Sequence, residues 1–267
     1  MKAREPYVAG QFYPGDKNRL SEILSGYIVG KKDKIDAIGA VSPHAGYIYS
    51  GKVAGKLFGA IEPKDTYIVL SPNHTGYGAC YSMSPRPWRT LLGVAQLDDE
   101  IARFIEEGTS LIVPDDEAHY YEHAVEVQLP FIQSVAPDAK IVAITMSHGD
   151  MAELREVAAA ISGAIKKSKR SAMIIASSDM THYEPRIAAK MKDDLAIREM
   201  LKLDAKGLIK VVEDNDITMC GYIPAAVMLM AACDLGAHEA KLVDYADSGD
   251  GTHDLSQVVG YAGVAVY

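Results

Sequence analysis

Histidines stand just past apolar runs at several places in this chain, and their positions suggest where its chemistry lies. One run ends at Ser42 and leads through Pro43 into His44, Ala45, Gly46 and Tyr47; another ends at Ser71 and leads through Pro72 and Asn73 into His74, Thr75, Gly76 and Tyr77. The two stretches echo one another in the order Ser-Pro, His, Gly, Tyr. Imidazole is the commonest metal ligand and the side chain that exchanges protons near neutral pH. Proline restricts the backbone beside each histidine, and the glycines permit tight turns close to a bound ion or substrate. Two more apolar runs lead into His148 and, through Asp179, into His182. Backbone hydrogen bonds could satisfy any single loop histidine, but the repetition points to His44 and His74 as metal ligands.

Cys80, Cys220 and Cys233 are too few, and odd in number, for a disulfide framework. Cys220 lies just ahead of a helical run that begins at Pro224, so its sulfur is expected near a helix amino terminus. There the dipole lowers a thiol pKa and favours the metal-binding thiolate; a small buried hydrophobe is the ordinary alternative. Cys233 falls inside that apolar helix and Cys80 in a suspected hairpin. His119 and His123 have the i, i+4 spacing that sets two ligands on one helix face, but without the HExxH order. His119 reads as a solvated or capping residue, and Met219 with the VMLMAA stretch reads as core rather than as copper ligands.

Elements that position these residues can be read from periodicity. Apolar runs at 36–42, 66–72, 139–147 and 171–179 suit strands buried on both faces, and further strands are expected at 240–246 and 258–267. Helical periodicity marks 122–135, 151–167, 186–202 and 224–236. Strand followed by helix, repeated, predicts a three-layer α/β/α sandwich with a mostly parallel central sheet. In such sheets ligands bind beyond the carboxyl ends of the strands, where these histidines fall. Segment 79–97 reads as an inserted hairpin or loop, and 248–254 as a loop over the cleft whose spacing misses the calcium-binding EF-hand pattern. No linker divides the chain, so residues 1–267 are expected to form one domain.

Composition narrows the function further. A net charge of -9 argues against nucleic-acid or anionic-membrane partners. The sequence has no apolar leader and no run long enough to cross a bilayer, which places the expectation in the cytoplasm. Nucleotide-binding glycine motifs and the GxSxG elbow of serine hydrolases are absent.

Motifs spread along the chain carry a family resemblance: REPYVAGQFYPGD, SPHAGYIYSG, SPNHTG, EHAVEVQLPF, SSDMTHY, MCGYIPA and VVGYAG, in that order. Together they resemble the Memo family (mediator of ErbB2-driven cell motility), which is similar in fold to the class III extradiol dioxygenases. The resemblance implies one non-haem metal ion on His44, His74 and Cys220, with cysteine where those dioxygenases carry a carboxylate. It also implies acid/base work for His182, with Asp179 beside it, and assigns nothing to His148 or His253. His123 and Glu126, in the EHAVEVQLPF segment, would line the cleft or back the ligands. Asp179 could instead cap a helix.

Iron is the expected metal, with copper or zinc as alternatives, because a thiolate is softer than a carboxylate. A metal-activated hydroxyl substrate could pass its proton to the His182 imidazole. The leading expectation is thus a dioxygenase-like oxidoreductase acting on a small molecule. A non-catalytic metal- or peptide-binding protein and a zinc hydrolase are the alternatives.

Overall fold

The computed structural model describes residues 2–267. Strands are β1 (Gly39–Ser42), β2 (Thr66–Pro72), β3 (Tyr81–Met83), β4 (Trp88–Thr90), β5 (Gly93–Leu97), β6 (Val113–Pro114), β7 (Lys140–Met146), β8 (Ala172–Ser177), β9 (His182–Glu184), β10 (Ala240–Asp247) and β11 (Val258–Val266). Helices are α1 (Lys17–Tyr27), α2 (Tyr47–Ala60), α3 (Asp99–Gly108), α4 (Leu129–Val135), α5 (Met151–Ser168), α6 (Arg186–Leu201), α7 (Ala205–Asp214), α8 (Tyr222–Asp234) and α9 (Gly249–Thr252).

The sheet runs in the order β10-β11-β1-β8-β2-β7-β3-β6. Its centre, β1-β8-β2-β7, is parallel throughout, whereas β11 against β1, β10 against β11 and β3 against β7 are antiparallel. The sheet is therefore mixed, with a parallel middle and antiparallel margins. Segment 79–97 is more than an insertion: β3 extends the sheet along β7, and β4 and β5 form the hairpin, with β5 also touching β7.

Side-chain alternation explains why the middle strands are apolar in every position. Ile68, Leu70, Val142, Ile144, Ile174 and Ala176 face a core built with α3, α5, α6, α7 and α8. Tyr67, Val69, Ile141, Ala143, Met173 and Ile175 face the opposite core, built with α1, α2 and α4. Adjacent residues on a strand point to opposite faces, so a strand covered on both sides must be apolar throughout. Burying each large aliphatic side chain contributes roughly 1.5–3 kcal/mol, and a one-residue slip of register would move every one of them to the wrong core.

This arrangement positions the site. Since β1, β8 and β2 are parallel neighbours, their carboxyl ends open on the same edge, with β8 between the loops that carry His44 and His74. Ser177 and Asp179, at the end of β8, thus meet the loop that carries His44.

Candidate metal centre

His44, two residues beyond β1, is 2% exposed. Its backbone N–H donates to Asp179 Oδ1 at 2.8 Å, Nδ1 lies 2.9 Å from Ser177 Oγ, and Nε2 lies 3.2 Å from Cys220 Sγ. Asp179 also accepts from the Ala45 N–H at 3.3 Å, so this carboxylate fixes the loop rather than the ring. The loop runs directly into α2, whose N-cap Gly46 has an ordinary φ of -54°. In the second loop Gly76 does need glycine's freedom, at φ +72°.

His74, two residues beyond β2, is held by Glu122. The His74 N–H donates to Oε2 at 2.7 Å, and Nδ1 lies 3.0 Å from Oε1. Glu122 is wholly buried and also accepts from the N–H groups of His123 and Ala124, each at 2.8 Å. Burial alone would raise its pKa, but the bond and charge of His74, the charge of His123 and the Ala124 N–H outweigh it and hold the carboxyl down at about 2. With Nδ1 committed to an ionised carboxylate, His74 carries its proton there. Among the described residues its Nε2 has no partner.

His123 joins these two. Its ring stacks on His74 at 4.7 Å and 22°, stands at 87° to His44 at 5.4 Å, and touches Phe12 at 4.6 Å. One ligating atom from each of His44, His74 and His123 lies within 4.8 Å of the others, the only such group among the described residues. Burial, then the charge of His74, lowers the His44 pKa to about 3; burial, then the charge of His44, lowers that of His123 to about 4. For His74, burial pulls downward, but the Glu122 bond and charge win and raise it. The first two rings are therefore neutral at pH 7 and offer lone pairs, as ligation requires. These three histidines could hold a metal ion, and the donor chemistry fits one.

Cys220 touches His44 but lies outside this three-histidine group, so of the three expected ligands the structure gathers His44 and His74 and adds His123. Cys220 precedes Gly221, where an added methyl would lie 2.4 Å from Ser177 O and 2.5 Å from Ser178 Cβ. Only glycine lets the chain come this close to the end of β8. The Asp179 N–H donates to Cys220 Sγ at 3.3 Å. The thiol pKa is raised, first by burial and then by Asp179, contrary to the lowering expected from the start of α8. Desolvation beside an acidic group outweighs the helix dipole. A cation at this point would reverse that balance, because a coordinating thiol loses its proton.

His182 is half-buried; its N–H donates to Thr218 Oγ1 at 2.7 Å, and its Nδ1 donates to Thr218 O at 2.9 Å. That bond leaves Nε2 as the proton acceptor. The following residue, Tyr183, is left-handed at φ +58° and exposed, which sets an aromatic ring next to His182.

Several expected placements differ. Glu126 neither lines the cleft nor backs a ligand: its carboxylate is saturated by Arg4, the N–H groups of Tyr7 and Val8, and the Tyr13 hydroxyl, and so anchors the N-terminal segment. His119 is not solvated. It is 1% exposed, and it shares no helix face with His123, because a short 3-10 turn ends at His119. His148 and His253 are exposed and outside the histidine group. Residues 249–252 form the short α9, and Arg186 pairs with Asp247 and Asp250 beside it. Met219, Met228 and Met230 are core. Glu122 and Ser177 went unassigned in the sequence, although both lie inside the EHAVEVQLPF and SSDMTHY motifs.

The profile of the family described as Memo-like protein matches residues 4–265. A MEMO1 family protein of Methanosarcina acetivorans is 42% identical over 269 residues, covering 100% of both chains. MEMO1 family proteins of Archaeoglobus fulgidus and Aquifex aeolicus are 41% and 40% identical, covering 98% and 99% of each chain respectively. Among solved structures, an uncharacterized protein of Escherichia coli K12 is similar in fold, with a TM-score of 0.58 at 12% identity; the match covers 85% of this chain and 98% of that one. No helix among the described residues is long and apolar enough to cross a membrane.

Proposed function

This chain belongs to the Memo-like family, and from that premise we propose that it is a metalloprotein holding a single ion on His44, His74 and Cys220, with iron as the working metal. The observation that carries the reading is the gathering of the His44 and His74 ligand atoms at the carboxyl ends of β1 and β2, with Cys220 Sγ 3.2 Å from His44 Nε2.

A ligating imidazole directs its lone pair in the plane of its ring. His74 and His123 stack at 22°, and His44 stands nearly perpendicular to both, at 81° and 87°. The contact of Cys220 Sγ with His44 Nε2 and the resemblance of the motifs that carry His44, His74 and Cys220 favour those three as ligands, with His123 as a neighbouring wall of the cleft. A His44, His74 and His123 set is the second reading, supported by the proximity of their nitrogens.

Bound iron would supply redox chemistry toward dioxygen and an organic substrate, the chemistry of two-histidine oxygenase sites. In this scheme His182 Nε2 accepts a proton from a substrate hydroxyl, while Thr218 holds the ring by Nδ1. Asp179 keeps the His44 loop in place through two backbone N–H groups, and buried Glu122 keeps His74 oriented.

Protein purified without oxygen and analysed for metals is expected to carry close to one equivalent of iron. Stoichiometric zinc with no iron(II) binding would end the oxidoreductase reading in favour of hydrolysis. Unchanged metal content in both His44→Ala and Cys220→Ser would end the ligand assignment.

A further inference from the structure

A buried serine makes three contacts whose hydrogens can be counted. Ser177 Oγ lies 2.7 Å from Ala124 O, 2.8 Å from Gln128 Nε2 and 2.9 Å from His44 Nδ1, and the residue is wholly buried. A hydroxyl has one proton to give and two lone pairs to receive with. Ala124 O can only accept, so the proton goes there. The amide end of Gln128 is identified by its other neighbours, Pro43 O at 3.0 Å and Ser42 O at 3.3 Å, both acceptors. That end is therefore NH2, and it donates to Ser177. The remaining lone pair of Ser177 must receive a hydrogen from His44 Nδ1. The other nitrogen, Nε2, is then the one with a free lone pair, and it is the one that faces Cys220.

We infer that Gln128 and Ser177 are positioning residues that fix the tautomer of His44, presenting Nε2 to the metal. The inference rests on the metal reading above for its purpose, but the tautomer is a property of the metal-free chain. Ordering runs from backbone to ligand. The carbonyls of Ser42 and Pro43, at the end of β1, orient the Gln128 amide; the amide and Ala124 O orient the Ser177 hydroxyl; the hydroxyl sets which imidazole nitrogen is protonated. An apolar residue of similar size could fill the space of Gln128 but could not donate to Ser177. Glu122 does the same for His74 with a charge, whereas this relay does it for His44 with neutral groups, which adds no anion to the buried side of the site.

Nitrogen NMR of metal-free protein labelled at histidine tests this. His44 is expected as the Nδ1–H tautomer in the parent protein, and an Nε2–H tautomer there would overturn the inference without any variant. In Ser177→Ala and Gln128→Leu, each checked for a native circular dichroism spectrum, the population should move toward Nε2–H. The affinity for zinc, used as the probe ion in competition with a chelating dye, should fall roughly 10- to 100-fold. Unchanged tautomer and unchanged zinc affinity in both variants would also overturn it. If the parent protein shows His44 as Nδ1–H yet binds neither zinc nor iron, the relay stands and the metal reading falls.

Discussion

His119 and His123 lie four residues apart, and the structure uses them in opposite ways. His119 is sealed into the protein, edge-on to Trp88 at 5.7 Å, with Nε2 donating to Ser82 O at 3.1 Å and Nδ1 accepting from Thr145 Oγ1 at 3.2 Å. Both ring nitrogens are spent on the fold. His123 stacks on His74 at the cleft, beside rings whose Nδ1 atoms are engaged by Ser177 and Glu122. The same residue type is a structural wedge in one place and part of a group that could hold a metal ion in the other. What decides is how many ring nitrogens the surrounding groups leave free.

That contrast can be broken most directly by substitution. Cys220→Ser or His44→Ala should lower metal affinity by about 100-fold or more, beyond the effect of losing a supporting hydrogen bond. His119→Gln should leave metal content intact and lower the thermal midpoint instead. Equal metal loss in the two regions, measured by elemental analysis, would erase the distinction.

The next effect is on stability against pH. Burial lowers the His119 pKa to about 4 from the ordinary 6.5 of an unfolded chain. Its folded-state pKa is depressed, so above pH 6.5 neither state is protonated there and the full stability is present. Between 6.5 and 4 the unfolded chain takes up a proton that the folded chain does not, and stability falls; below 4 the loss levels off at about 3 kcal/mol. Urea unfolding of metal-free protein at pH 7 and pH 4 should show a difference smaller by about that amount in His119→Gln than in the parent. An identical pH dependence would mean that His119 is not buried neutral.

Smaller still is the effect of Glu122→Gln, which keeps a hydrogen-bonding group beside His74 but removes the charge. Metal binding should weaken roughly 10- to 100-fold, read by dye competition, because the carboxylate fixes the ring and raises its basicity. The smallest effect is expected at exposed His148, also at a strand end: His148→Ala should change stability by no more than about 0.5 kcal/mol and leave metal content alone. A lost metal ion in that variant would show that strand-end position alone, rather than free nitrogens, makes the site.

Much of this architecture was legible beforehand, for identifiable reasons. The strand expected at 66–72 coincides with β2, and those expected at 139–147 and 171–179 contain β7 and β8, because strands covered on both faces read as unbroken apolar runs. Helix α2 had no counterpart among the expected helices. Its Gly51, Gly55 and Gly59 weaken the helical signal, yet they let the chain at Tyr27 and Val29 lie directly against it. The two strand-end histidines were readable because the motif repeats. Their partners were not: Ser177 is 133 residues from His44, and Glu122 is 48 from His74, and no local pattern encodes either pairing. Glu126 shows the converse. It lies in the same motif as Glu122, but one turn further on it faces Arg4 and the N-terminal segment instead of the histidines.

X-ray absorption at the metal edge, on protein purified and loaded with iron(II) without oxygen, bears most directly on the His44, His74 and Cys220 site. One sulfur neighbour at about 2.3 Å together with two imidazole nitrogens is the expected first coordination sphere, with the sulfur signal lost in Cys220→Ser. A sphere of three imidazoles and no sulfur would contradict it and assign the ion to His44, His74 and His123.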